Sequence, residues 1–143
     1  MNMVGQKALD IWRGALVETV RRDIPDLTAR QMAVLLTVYL SDGPHTVRGL
    51  SKILNISKPA ITRALDKLGT LDLVRRKPDE ADRRSVLVQR TVKGSVFLSE
   101  FNDIISRAAT ATSGTASDFA EGSPLAGEQS ATPETAAPMM AQG

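Results

Sequence analysis

The chain has 143 residues, 42% of them hydrophobic and 24% charged, and its formal net charge is only +2. It contains no cysteine and a single histidine, which excludes disulfides, thiolate metal sites, cysteine nucleophiles and multi-histidine sites within one subunit. No run approaches the roughly 18 consecutive apolar residues of a membrane helix, and the first residues lack the zones of a signal peptide. We therefore expect one soluble cytoplasmic domain without metal, cofactor or membrane partner.

The charge is unevenly distributed along the chain. Residues 111–143 contain four acidic residues and no Lys or Arg, and their Ala/Ser/Thr/Gly/Pro composition predicts a disordered acidic tail. Residues 1–110 then hold 18 basic and 12 acidic groups, and residues 45–93 alone hold twelve basic against five acidic groups. The sequence thus predicts a folded domain over 1–110, whose central basic excess indicates a polyanionic partner.

Two amphipathic helices are expected first. Residues 6–22 form one helix, which ends before Pro25. Its apolar residues recur at helical spacing, and they are Leu9, Trp12, Leu16 and Val20. Thr28 and Gln31 form a capping box that opens a second helix, which ends at Gly43-Pro44. The core-facing residues of the second helix are expected to be Met32, Leu35, Leu36 and Tyr39.

Two short helices follow, separated by a three-residue turn at 55–57. The third helix covers 46–54, with His45 before it as a solvated turn residue. It is expected to bury Leu50, Ile53 and Leu54 and to expose Arg48 and Lys52. Ser57 caps the fourth helix, and Pro59 lies in its first turn, where a missing N–H costs nothing. The fourth helix is expected to bury Ile61, Leu65 and Leu68 and to expose Lys58, Thr62, Arg63, Asp66 and Lys67.

The apolar period then shortens. Residues 73–77 and 85–90 are predicted as two strands joined by a charged turn. Thr91 caps a last helix, whose apolar stripe is Phe97, Phe101, Ile104, Ile105 and Ala108. The predicted fold is mainly α with a small β-hairpin wing, that is, a winged helix-turn-helix followed by the disordered tail.

A basic second helix of this motif fits the major groove of double-stranded DNA. Lys58, Thr62 and Arg63 are suited to base edges, whereas Lys67, Arg48 and Lys52 are suited to phosphates. Arginines at the tip of the wing are suited to a narrow minor groove, and Asp82 is expected to pair with one of them and fix its direction. At least one of the residues 75–77 is expected to cover core surface with its stem. The candidate DNA contacts are Arg48, Ser57, Lys58, Pro59, Thr62, Arg63, Lys67, Arg83 and Arg84.

The run LDLVRRKPDEADRRSVLVQRTVKG, at Leu71–Gly94, resembles the wing and following helix start of the multiple-antibiotic-resistance regulators, the MarR family. Asp82 and Arg84 match that family's Asp-x-Arg pattern, and Thr91 and Gly94 match its Thr-x-x-Gly. The run LSKILNISKPAITRALDKL is similar to its helix-turn-helix, so the resemblance covers roughly residues 8–108. It implies a homodimeric winged-helix transcription regulator, usually a repressor relieved by a small, often aromatic or phenolic, ligand.

Members of that family usually dimerise through the first helix and two C-terminal helices. Here one C-terminal helix precedes the tail, so either it suffices together with the first helix or residues 116–125 form an extra segment. The candidate dimer-interface residues are Leu9, Trp12, Leu16, Phe97, Phe101, Ile104 and Ile105. Trp12 also fits a core position or a pocket wall. A regulator of this kind is expected to associate with the nucleoid when it is bound to DNA.

Three functions compete. A sequence-specific dimeric repressor on a near-palindromic operator is the leading hypothesis. A non-sequence-specific or architectural DNA-binding protein would keep the basic surface without a ligand, and a winged-helix protein-interaction module would not need the outward basic excess. An enzyme is disfavoured, because the chain has no glycine-rich phosphate loop, metal constellation or nucleophile–base pair.

Overall fold

The structure of the protein is a computed structural model that describes residues 5–121, with side chains described as far as residue 113. These residues form eight helices and strands. They are, in chain order, α1 (Lys7–Arg21), α2 (Ala29–Leu40), β1 (His45–Thr46), α3 (Val47–Leu54), α4 (Lys58–Thr70), β2 (Val74–Pro78), β3 (Val86–Arg90) and α5 (Val92–Glu121). The mainly helical fold with a hairpin wing is therefore confirmed.

The chain divides into two compact units. The larger, Leu16–Ile104, contains the end of α1, the helices α2 to α4, the sheet and the first part of α5. The smaller contains the first part of α1 and the later part of α5, where Gly14 and Ala108 meet closely: a Cβ on Gly14 would lie 3.3 Å from that of Ala108. Gly14 therefore permits the two helices to approach each other.

The core of the larger unit lies between α2, α3, α4 and the sheet. Leu50, Ile61, Leu65 and Leu68 are fully buried, as the sequence predicts, together with Leu35. Each such side chain contributes roughly 1.5–3 kcal/mol to stability when it is removed from water. Met32, Leu36 and Tyr39 are half-buried instead, because the centre of the core is occupied from α2 by Val34, Leu35 and Val38.

The predicted helix starts are confirmed by their hydrogen bonds. The Thr28 hydroxyl accepts from the Gln31 N–H at 3.1 Å, and the Gln31 side chain accepts from the Thr28 N–H at 2.9 Å. The Ser57 hydroxyl accepts from the Ala60 N–H at 3.3 Å, with Pro59 in the first turn of α4. These caps satisfy N–H groups that have no partner inside their helix.

The turn between α3 and α4 depends on Asn55, which adopts a left-handed conformation with φ 53°. Its N–H donates to the Lys52 carbonyl, and the Ile56 N–H donates to the Ser51 carbonyl at 3.1 Å. This pair of bonds ends α3 and reverses the chain, and asparagine tolerates the conformation better than most residues. The Ser51 hydroxyl also donates to the Ile56 carbonyl, which ties the turn to α3. The turn therefore fixes the start of α4 relative to α3.

The sheet has three antiparallel strands in the order β1-β3-β2, one more strand than the sequence predicts. In the wing, β2 and β3 pair from Val74 opposite Arg90 to Pro78 opposite Val86. The extra strand pairs His45 with Val88. Because directly opposed residues share a face, this pairing places His45 on the same face as the buried Val88.

The expectation that His45 is a solvated turn residue is therefore wrong: it is only 7% exposed. Its Nε2 lies 3.1 Å from the Ser41 carbonyl oxygen. Two residues of β1 give too short a pattern for periodicity to reveal, and the burial of His45 results from pairing with a strand some forty positions later.

The Tyr39 hydroxyl joins α2 to both ends of the wing. It donates to the Leu73 carbonyl at 2.7 Å and accepts from the Thr91 N–H at 2.8 Å. A Cβ on Gly94 would overlap this hydroxyl and the Leu73 carbonyl oxygen. The glycine of the Thr-x-x-Gly pattern is therefore required by the close approach of Tyr39, and the threonine caps α5 by accepting from the Gly94 N–H at 2.9 Å.

Two further expectations need correction. Ile53 is 61% exposed, because Val47, Leu50 and Leu54 already provide the core-facing stripe of the short helix α3. The last helix continues through 111–121, which are assigned to the tail from their composition. The rest of the predicted tail, 122–143, lies outside the described residues.

Candidate nucleic-acid interface

The two faces of α4 are sharply segregated. Its buried face consists of Ala60, Ile61, Ala64, Leu65 and Leu68. Its exposed face carries the polar residues that the sequence predicts there: Lys58, Thr62, Arg63, Asp66 and Lys67. Since the apolar face fixes the helix against the core, the basic face is presented to solvent in one defined orientation.

The start of α4 is the part that would enter a groove first. Lys58 and Pro59 are exposed in the first turn, and Thr62 and Arg63 follow one turn later. The Ser57 hydroxyl is already engaged as the N-cap, so the structure gives it a capping role alongside the predicted DNA contact. A helix N-terminus also attracts phosphate through its free N–H groups and dipole.

Cations flank α4 on the preceding helix. Arg48 and Lys52 are exposed on α3, as the sequence predicts, and lie four residues apart on one side of that helix. The turn at Asn55 fixes α3 relative to α4, so these two cations have a defined position relative to α4.

The tip of the wing is shaped by two aspartates that bind the backbone. Asp79 accepts from the Ala81 N–H at 3.0 Å, and Asp82 accepts from the Arg84 N–H at 3.1 Å. Asp82 also accepts from the Ser85 hydroxyl at 3.3 Å. Such side-chain bonds to an N–H two residues on are turn-forming contacts. The two aspartates thus fix the backbone of the tip.

Asp82 is expected from the sequence to pair with the guanidinium group of a wing arginine, and this expectation is wrong. The carboxylate is occupied by the Arg84 N–H and the Ser85 hydroxyl. Within residues 5–121, neither the Arg83 nor the Arg84 guanidinium forms an ion pair, and both side chains are exposed. Asp82 orients the wing through its backbone and leaves both guanidinium groups available to a ligand.

The three basic residues of β2 differ in direction. Arg76 lies opposite Val88 and shares the inner face of the wing with Val74, whereas Arg75 and Lys77 lie on the other face. Arg76 Nη2 lies 2.8 Å from Asp66 Oδ1 on α4. This ion pair is not predicted from the sequence, which indicates only that at least one of the residues 75–77 covers core surface with its stem.

The predicted dimer residues fall into two groups. Leu9, Trp12 and Leu16 on α1 are exposed, Trp12 by 51%, as are Val17 and Val20. Phe101 and Ile104 are only 5% and 2% exposed in the single chain, and their assignment to a dimer interface stays a prediction. Phe97 and Ile105 are half-buried.

Residue 90 is a second contact that the sequence analysis misses. Arg90 Nε donates to the Val38 carbonyl at 3.0 Å and its Nη2 donates to the Ser41 carbonyl at 3.2 Å. The guanidinium carbon also lies 5.8 Å from the centroid of the Tyr39 ring. Arg90 therefore caps the end of α2 and fastens the wing to it, which makes it a structural rather than a DNA-facing cation.

Residues 5–121 contain no group of three His, Asp or Glu side chains arranged to hold a metal ion. None of the helices in this range is both long and apolar enough to cross a membrane.

Comparison with known proteins finds relatives that match part of this chain. Residues 26–85 match the sequence model described as MarR family. Over 80 residues the chain is 32% identical to the multiple antibiotic resistance protein MarR of Escherichia coli K12, covering 56% of this chain and 55% of that protein. Over 72 residues it is 36% identical to the protein of that name from Salmonella typhimurium, covering 50% and 49%. The chain thus spans about half the length of these relatives.

Solved structures show the same fold. A cysteine-to-serine mutant of E. coli MarR in complex with operator DNA superposes with a TM-score of 0.58 and 26% identity, covering 76% of this chain and 74% of that chain. The S. aureus MepR–DNA complex superposes with a TM-score of 0.62 and 20% identity, covering 82% and 94%.

Proposed function

We propose that the chain is a member of the MarR family, whose model matches residues 26–85, and that it is a transcriptional regulator that binds double-stranded DNA. The observation that carries the proposal is the exposed face of α4, where Lys58, Thr62, Arg63 and Lys67 project from a helix whose other face is buried. A helix of this kind fits the major groove, with its N-terminal residues toward base edges. Two relatives of the same fold were crystallised with DNA, one of them with operator DNA.

Each proposed contact has a separate role. Arg63 and Thr62 read base edges, because an arginine at this depth in the helix reaches the two acceptors of a guanine. Lys67, Arg48 and Lys52 contact phosphates, where charge matters more than shape. Arg83 and Arg84 enter the minor groove from the wing, whose backbone Asp82 holds in a turn.

We further propose that the regulator acts as a homodimeric repressor. The exposed apolar side chains of α1 support dimerisation, because a run of Leu9, Trp12 and Leu16 along one helix is costly to leave in water. Two copies would place their α4 helices in successive major grooves, roughly 10 base pairs apart, on a near-palindromic site.

Relief of binding by a small aromatic or phenolic ligand is part of the same proposal. It is supported by a cavity of about 430 Å³ at the root of the wing. Its lining includes Val38, Leu87 and Val88 as apolar walls, with His45 and Arg90 as polar groups. An apolar cavity with a few polar groups at its wall is typical of small-molecule sites.

Selection of bound sequences from a random duplex pool tests the proposal directly. We expect enrichment of a near-palindrome with half-sites about one helical turn apart. Arg63→Ala should abolish discrimination at one base pair of each half-site, at a cost of about 1–3 kcal/mol, whereas Lys67→Ala should weaken binding to all sequences about equally. An unenriched pool that still binds duplex would instead favour an architectural DNA-binding protein, and the absence of any binding would favour a protein-interaction module.

A further inference from the structure

An acidic residue lies in the middle of the basic face of α4. Asp66 is the single acid of that helix; it lies three residues, nearly one turn, after Arg63 and next to Lys67 in sequence. An unpaired carboxylate at this place would repel phosphate and lower affinity for DNA. Its contact with Arg76 of the wing, at 2.8 Å, offsets that charge and joins the helix to the wing.

The register of the wing strands allows Arg76 to contact Asp66, whereas the residues on either side of Arg76 lie on the other face of the strand. Arg76 lies on the inner face of β2, opposite the buried Val88. Arg75, one residue earlier, lies opposite Gln89 on the other face. Two other ion pairs, Arg13 with Asp10 and Arg22 with Glu18, join neighbours in or directly after α1, whereas Asp66 and Arg76 join two elements.

The chain connection alone leaves the wing incompletely positioned. Residues 71–73 link α4 to β2, with the Leu73 N–H donating to the Leu68 carbonyl at 2.9 Å. That bond fixes the root of the wing at the last turn of α4. Asp66 lies further up the helix and Arg76 further along the strand, so their contact is a second point of attachment, which restricts rotation of the wing about its root.

We propose that Asp66 and Arg76 are a positioning pair that sets the angle between the recognition helix α4 and the wing, so that both reach their grooves in one register. The inference rests on the proposed DNA-binding function. The pair acts through the placement of α4 and the wing, and its contribution to specificity exceeds its contribution to stability. Arg76 is 36% and Asp66 59% exposed, and exposed pairs add little to the free energy of unfolding.

Two measurements test the pair, one without DNA and one with it. The chain has no cysteine, so nitroxide labels on Thr70→Cys and Glu80→Cys report the distance between α4 and the tip of the wing without background labelling. Labelled chains are mixed with an excess of unlabelled chain, so that only distances within one subunit contribute. We expect Arg76→Gln and Asp66→Asn each to broaden the distance distribution. The charge-exchanged variant Asp66→Arg/Arg76→Asp should narrow it again.

In the second measurement, the affinity for the selected duplex is divided by that for a random duplex. Arg76→Gln and Asp66→Asn should each lower this ratio about twofold to fivefold, and the two together no further, as expected for one shared contact. The matched control, Arg75→Gln, removes the same charge from the other face and should leave the ratio unchanged.

Two results would overturn the pair. The first is an unchanged distance distribution in both single variants. The second is an affinity ratio for Arg76→Gln equal to that for Arg75→Gln, together with tighter binding of both duplexes by Asp66→Asn. Those results are expected of independent charges. If the native chain binds no duplex, the proposed function fails, and the distance measurement still decides whether the pair positions the wing.

Discussion

Removing one oxygen atom, in Tyr39→Phe, should cost the larger unit a substantial part of its stability. The hydroxyl donates to the Leu73 carbonyl at 2.7 Å and accepts from the Thr91 N–H at 2.8 Å. Phenylalanine keeps the ring in place beside Gly94 but offers neither group a partner. Both orphaned groups belong to the backbone at the two ends of the wing, where the closely packed surroundings restrict access of water.

The magnitude follows from the two bonds. Each contributes about 0.5–1.5 kcal/mol net, and an unsatisfied buried group costs about 1–3 kcal/mol. We therefore expect the free energy of unfolding to fall by about 1–3 kcal/mol. With a urea dependence near 2 kcal/mol per molar, the unfolding midpoint should shift by about 0.5–1.5 M.

Urea unfolding followed by circular dichroism, at one fixed protein concentration, measures the shift. The fixed concentration matters because dimerisation would change apparent stability by mass action. Thr37→Val is the matched control on the same helix, since its hydroxyl donates to the Ala33 carbonyl of the preceding turn. Equal unfolding midpoints for Tyr39→Phe and Thr37→Val would refute the reasoning. The hydrogen bonds of the Tyr39 hydroxyl would then contribute no more to stability than one hydrogen bond within a helix.

Further predictions concern three positions. Gly94→Ala should destabilise by about 1–3 kcal/mol in the same assay, because its Cβ overlaps the Tyr39 hydroxyl, and an unchanged midpoint would contradict the close approach. Asn55→Ala should cost about 1 kcal/mol at the left-handed turn residue while Asn55→Gly stays within about 0.5 kcal/mol, and equal losses for both would argue against backbone conformation as the cause. Asp82→Ala should accelerate hydrogen exchange of the Arg84 amide, measured by NMR, with little change in midpoint, whereas unaltered exchange would remove Asp82 from the turn.

The sequence was informative wherever structure depends on neighbours along the chain. The cap at Thr28 and Gln31, the buried stripe of α4 and the capping threonine of α5 each follow from residues three or four apart, and all are confirmed. The spacing also predicts the outward basic face of α4, because the opposite face is apolar without interruption.

The features that sequence reasoning missed depend on contacts between distant segments. His45 is buried by pairing with Val88, and Arg76, whose register partner is also Val88, forms an ion pair with Asp66. Neither partner can be found from local periodicity. Asp82 was assigned a side-chain partner from charge alone, whereas turn chemistry favours the N–H two residues on, which is where the structure places its hydrogen bond.

The central claim, that the face of α4 and the wing bind DNA, is tested most directly by the salt dependence of duplex affinity. Fluorescence anisotropy with the selected duplex would be measured from 50 to 200 mM salt. With about 6–10 phosphate contacts per dimer, affinity should fall by about 10³–10⁵ across this range, and Lys67→Ala should make the slope shallower. A flat dependence, or a slope unaffected by Lys67→Ala, would contradict the claim.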